Sequence, residues 1–203
     1  MGDNYQVTRE KLDVLKEVGN IGAGNAATSL ASLLGLRVDI AVPRAAFLPM
    51  EETINDMGGM EEPVACVQLE VEGDIKGLVI YLFDQDSSFR LVDMLLGQPA
   101  GTTTELGDME SSVLSEAGNI LTGAFLSAIS SMTRMDLKLS VPLLAFDMLG
   151  AVLASALLEG GYAEDQVLTI KTEFAQGGSR IGSRFILVMD PESLEKIVNR
   201  LMV

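Results

Sequence analysis

Asp13-Val-Leu-Lys-Glu17-Val-Gly-Asn20-Ile-Gly-Ala-Gly24 is written a second time 99 residues later, as Ser112-Val-Leu-Ser-Glu116-Ala-Gly-Asn119-Ile-Leu-Thr-Gly123. A proline follows each copy, 23 residues beyond its asparagine, at Val42-Pro43 and Val141-Pro142. Glu, Gly, Asn, Ile and the last Gly are identical in the two copies, while the apolar filler drifts. A repeat that keeps its polar residues and relaxes its packing residues points to a polar site present twice. Glu and Asn three apart share one face of a helix, so each copy is a small chemical unit.

The repeat extends outward from this motif. Phe47 and Phe146 keep the 99-residue offset; after a seven-residue insertion in the second half the offset becomes 106, where Gly77–Asp84 matches Ser183–Asp190. Leu91, Val92, Leu95 and Leu96 then fall on Ile197, Val198, Leu201 and Met202. The chain therefore reads as one domain over residues 1–203, built of two homologous halves, about 1–97 and 107–203, with a Gly/Thr-rich joint between them.

Each half reads the same way. A long helix is predicted first, over Thr8–Leu34 and Asp108–Thr133, with Leu12, Leu15, Leu30 and Leu33 on its apolar face. Alternating strand patterns follow at Arg37–Val42 and Asp136–Val141, each ended by its proline, and then a variable segment with a short helix. Strand pairs come next, Pro63–Val71 with Gly77–Phe83 and Gln166–Phe174 with Arg184–Met189, turning at Gly73-Asp74 and Gly177-Gly178. Closing helices are expected at Ser87–Leu96 and Pro191–Met202. The fold class is α+β: a pseudo-twofold repeat, with a mainly antiparallel sheet of about six strands and two long motif-bearing helices.

Composition removes several function classes. There is no histidine, so neither a Ser-His-Asp nor a Cys-His nucleophile can be assembled, nor a Cys/His zinc site. Cys66 is the single cysteine, which rules out an internal disulfide and agrees with a cytoplasmic protein. No secretory signal is read at the start, and no stretch looks apolar enough to span a membrane. The net charge of −15 argues against nucleic acid or anionic membranes as partners. It also suits a salt-rich cytoplasm, because the Debye length shrinks to about 3 Å at 1 M. On that reading the melting temperature rises between low and molar KCl; a flat thermal-shift profile across that range contradicts it.

Asp13, Glu17 and Asn20 stand at i, i+4 and i+7, a single polar stripe that Ser112, Glu116 and Asn119 repeat. Glycines accompany the stripe at 19, 22, 24, 118 and 123, although each costs about 1 kcal/mol in a helix interior relative to Ala. Close approach of another element would explain them, and so would room for an incoming partner. A nucleotide loop would not, since no strand precedes Gly19-x-x-Gly22-x-Gly24 and no Lys-Ser/Thr pair follows it.

A Glu-x-x-Asn pair led by Asp or Ser and followed by a proline at this spacing resembles the CheC/CheX/FliY family of chemotaxis phosphatases. Two copies in a chain of 203 residues, with nothing appended, resemble its CheC branch. The resemblance implies hydrolysis of the aspartyl phosphate of CheY, with Glu17 and Asn20 as one catalytic pair and Glu116 and Asn119 as the other. Asp13, Ser112, Pro43 and Pro142 would support the motif. The chain would need no metal or cofactor of its own, with Mg2+ held by the receiver, and would act as a cytoplasmic monomer. A second candidate is the apolar segment Ala145–Leu158, read as one helix that is either buried or a docking helix. The resemblance makes it a docking helix for the receptor deamidase CheD, through Asp147, Met148, Val152 and Leu153. The rival reading is an adaptor that binds phosphorylated CheY or CheD without turnover.

Overall fold

Leu78-Val-Ile-Tyr-Leu-Phe83 is apolar at every position, and all six residues are buried. A strand apolar on both sides belongs inside a sheet that is covered on both faces. The computed structural model describes residues 9–35, 39–160, 166–176 and 179–201, and it places this strand at the centre. The first half runs α1 (Arg9–Leu34), β1 (Asp39–Pro49), α2 (Met50–Asp56), β2 (Pro63–Gly73), β3 (Gly77–Asp84) and α3 (Gln85–Leu95). The second runs α4 (Asp108–Thr133), β4 (Leu137–Leu139), β5 (Leu143–Met148), α5 (Leu149–Gly160), β6 (Gln166–Gln176), β7 (Ser179–Met189) and α6 (Pro191–Leu201). The predicted Gly177-Gly178 turn lies outside the described residues; the other turn has Gly73 at φ +117, where only glycine is unstrained.

The strand order is β1-β6-β7-β3-β2-β4, with β5 also on β2, and every pairing is antiparallel. Ile80 pairs with Ile186, its own counterpart at the 106-residue offset, so the pseudo-dyad passes between them. β1 of the first half pairs with β6 of the second, while β4 and β5 of the second pair with β2 of the first. Each half thus completes the other's hairpin.

One of the two prolines departs from the sequence expectation. Pro43 does not end its strand; it lies inside β1, where the register slips between Ala41 and Arg44. Pro142 does end one, standing between β4 and β5. Lacking an N–H, proline cannot join the ladder. The first half absorbs this as a bulge, and the second breaks the strand in two. Seven strands therefore occupy six sheet positions.

Side chains alternate between two cores. Val67, Val79, Tyr81 and Phe83 face α1, α3, α4 and α6, while Cys66, Leu78, Ile80 and Leu82 face α2 and α5. α4 is long and apolar enough to cross a membrane by length and composition, contrary to the expectation that no segment is. More than half of its apolar window is buried within the protein, as in a core helix.

Ala145–Leu158 is not one helix. Leu143–Met148 forms β5, pairing with Pro63–Gln68, and only the remainder is α5. Asp147 and Met148 therefore end an exposed strand, whereas Val152 and Leu153 are buried in the smaller core. Unsatisfied ladder groups on β2 capture the first six residues, overriding their helical apolar run.

The joint between the halves is tied down by Asp93, a carboxylate placed amid the apolar run Leu91-Val92-Asp93-Met94 of α3. Its Oδ1 accepts the Thr103 N–H at 2.8 Å, and its Oδ2 accepts those of Gly101 and Thr102 at 2.7 and 3.2 Å. Burial pushes the Asp93 pKa up, but the Thr103, Gly101 and Thr102 hydrogen bonds outweigh it and hold the pKa below the usual carboxylate value. That contribution to stability is complete above the ordinary carboxylate range and is lost as pH falls through the depressed value. Asp93→Ala should cost about 2–3 kcal/mol at neutral pH, read by urea unfolding, and less once the pH falls through that depressed value.

Candidate functional site

α1 and α4 lie together on one face of the sheet and carry both stripes outward. Asp13, Glu17 and Asn20 are exposed on α1; Ser112 and Glu116 are exposed and Asn119 half-buried on α4. Ser112 Oγ donates to the Asp108 carbonyl at 2.8 Å, so that hydroxyl is engaged with its own helix. No side-chain hydrogen bond or ion pair joins Glu17, Asn20, Glu116 or Asn119 to another described residue. Four unpartnered polar heads are thus presented to solvent. Among the described residues no group of three or more His, Cys, Asp or Glu side chains could hold a metal ion.

The glycines divide by cause. A Cβ at Gly22 would stand 2.8 Å from Phe125 Cα, so Gly22 is where α1 crosses α4. A Cβ at Gly118 would stand 2.6 Å from Val67 Cγ1, so that glycine lets α4 settle on β2. Gly19 is more relaxed, with Val42 at 3.4 Å. Gly24 and Gly123 are different: a Cβ at either meets nothing within 4 Å. Both stand four residues beyond the asparagine, on the stripe itself. Nothing inside the protein requires glycine there, and its effect is to keep the surface beside Asn20 and Asn119 flat.

The repeat also holds an apolar pair beside the asparagines. Ile21 and Ile120 follow the asparagines in both copies, and an invariant apolar residue reads as core. Ile21 is instead 39% exposed, and Ile120 is half-buried. An apolar residue kept at the surface beside a polar pair suits a contact with another protein. Pro43 lies in β1 and Pro142 between β4 and β5, neither of them on the helices that carry the stripes. Asp147 and Met148 are exposed at the end of β5, and Val152 and Leu153 are buried beneath α5; the four do not form one surface.

Comparison with known proteins fits this geometry. Residues 10–46 match the model of the CheC-like family, and residues 64–156 match that of the chemotaxis phosphatase CheX. Each matched segment contains one Glu-Asn pair. The chain is 34% identical to the CheY-P phosphatase CheC of Bacillus subtilis over 94% of its own length and 93% of that protein's. Its fold is that of the crystal structure of Thermotoga maritima FliY, with a TM-score of 0.78 and 22% identity over 97% of this chain and 98% of that one. The FliM middle domain from H. pylori shares it at a TM-score of 0.71 and 16% identity, over 96% and 99% of the two chains. Such structural likeness shows the fold alone, and function has to be argued from the site. The near-full-length relationship to CheC goes further, and the chain belongs to the CheC-like family.

Proposed function

We propose that this protein is a chemotaxis phosphatase that hydrolyses the aspartyl phosphate of phosphorylated CheY and so ends the signal to the flagellar motor. The observation that carries it is the two outward-facing Glu-Asn pairs, none of whose side chains bonds to a described residue, each beside an open glycine. The reaction places a water oxygen in line with the receiver's phosphorus. A P–O bond to water forms, the bond to the aspartyl oxygen breaks, and the carboxylate leaves with the electron pair as inorganic phosphate departs.

An acyl phosphate is already reactive, so positioning that water is the main task. The Asn20 and Asn119 amides each offer one acceptor and two donors on a rigid planar group, suited to orienting the water as amides do in other phosphoryl hydrolases. Glu17 and Glu116 pair with a lysine of the receiver and set the docking register. Ile21 and Ile120 add apolar contact, while Asp13 and Ser112 support the helix face. None of these groups has to titrate, which agrees with a chain without histidine. The chain needs no cofactor of its own; the Mg2+ belongs to the receiver's acidic pocket. It works in the cytoplasm as a monomer, its two halves acting as one domain.

The adaptor reading draws on β5, where Leu143, Phe146 and Met148 are exposed by 58%, 43% and 51%, with Leu158 nearby in sequence at 81%. On that reading this edge, and not a helix, is the docking element for CheD. The test is phosphate release from a phosphorylated CheY-type receiver with and without the protein. Acceleration at substoichiometric protein establishes turnover. Binding without acceleration makes the stripes a docking surface.

A further inference from the structure

α1 and α4 shield one face of the sheet, but the opposite face is covered unevenly. α5 has 12 residues and α2 only seven. Under α5 the strands present apolar residues, among them Leu78 and Cys66. Past the end of α2 they turn charged. Arg44 of β1 pairs with Lys171 of β6, which pairs with Arg184 of β7, three cations in one row across three strands. Two residues along, Glu173 pairs with Gly182, and Asp84 ends β3 beyond the Leu82–Arg184 pair. The pseudo-dyad counterpart of Arg184 is Leu78, which is fully buried, so this polarity does not follow the pseudo-twofold repeat.

The result is a groove of about 560 Å³, lined among others by Asp56, Glu62, Asp84, Lys171, Gly182 and Arg184. Several of its features cost stability. Like charges directly opposite across strands destabilise a sheet. None of the three cations makes an ion pair with a described carboxylate. The half-buried Arg184 guanidinium makes a single long hydrogen bond, to the Ser183 carbonyl at 3.4 Å, leaving most of its five donors unused. Burial lowers its pKa, as does the nearby Arg44 charge, while the Asp56, Asp84 and Glu173 carboxylates pull it up. Gly182 weakens the middle of β7, yet a Cβ there would meet no atom within 4 Å. Glycine at that point leaves the floor of the groove bare.

We propose that this groove binds a small zwitterion, its carboxylate held by Arg184 and Lys171 and its ammonium group lying over Glu173 and Asp84. The two rows are two residues apart along the strands, about 6–7 Å, and a ligand whose charges stand that far apart matches them. The site lies on the opposite face of the sheet from the Glu-Asn stripes and is independent of the phosphatase reading.

The test is an NMR titration of the full chain at fixed KCl with glycine, 4-aminobutyrate, 6-aminohexanoate, butyrate and butylammonium. Saturable shifts on β6 and β7 are expected with one or both of the longer ω-amino acids. Glycine and the two singly charged probes should bind at least tenfold more weakly. Lys171→Gln combined with Arg184→Gln should weaken binding tenfold or more. So should Gly182→Val, which fills the floor without changing charge and suits a strand. Absence of saturable binding by every probe overturns the proposal. Equal binding of butyrate, or an unchanged affinity in folded Gly182→Val, does so as well.

Discussion

Replacing both Asn20 and Asn119 by alanine should remove all acceleration of CheY-P dephosphorylation, leaving only the receiver's intrinsic rate. Each single variant should keep the activity of the other site. The reason is geometric: the stripes stand on separate helices, and neither asparagine bonds to a described residue through which the other could substitute for it. Losing one pre-positioned polar group at a reacting centre costs about 10²–10³ in rate, which at either site reduces turnover to background. Binding should survive, because docking rests on Glu17, Glu116 and the apolar contacts beside them. Glu17→Ala with Glu116→Ala should do the reverse, weakening the complex by about 10–100-fold through loss of a charge-assisted hydrogen bond while saturating turnover falls less. Single-turnover phosphate release and receiver titration together separate the two effects. Equal loss of binding and rate in both pairs of variants would refute this division of roles.

The same substitution at two glycines of α4 should have opposite signs. At Gly118 an added methyl group would lie within 3 Å of three Val67 atoms, Cβ among them, and Val67 is fully buried in β2. The helix must lift off the sheet, and overpacking of this kind costs about 1–3 kcal/mol. At Gly123 the methyl group meets nothing, so Ala should gain up to about 1 kcal/mol of helix propensity. In a chain of 203 residues a kcal/mol shifts the melting temperature by about 2–4 °C, so the two variants should separate clearly in calorimetry. Gly123→Ala has a second expected effect: it should slow turnover at the Asn119 site, since the flat surface that it fills belongs to the receiver. A stabilised variant with unimpaired turnover would mean that this space is incidental.

Much of this protein was determined by its sequence. The doubled motif, its offset, and the change of offset from 99 to 106 were enough to place both long helices, the strand pairs and the pseudo-twofold plan, while the structure set its axis between Ile80 and Ile186. Those features are local, resting on periodicity and turn residues that a chain carries wherever it folds. The Glu-Asn pairs were legible for the same reason, since helical spacing alone puts them on one face.

What the tertiary structure decided depends on which neighbour a segment meets. Ala145–Leu158 carries an apolar run that suits a helix, yet β2 has an unpaired edge, and its hydrogen bonds draw Leu143–Met148 into the sheet. Pro43 is tolerated within a strand because β6 accommodates a bulge opposite it. The reason for each glycine appears only when Phe125, Val67 or empty space is found beyond its Cα. Arg44, Lys171 and Arg184 are scattered over 140 residues of sequence and become one row only when β1, β6 and β7 pair. Periodicity reports how a segment can bury its own face; the partner that covers that face, or leaves it open, is set by contacts between residues far apart in the chain.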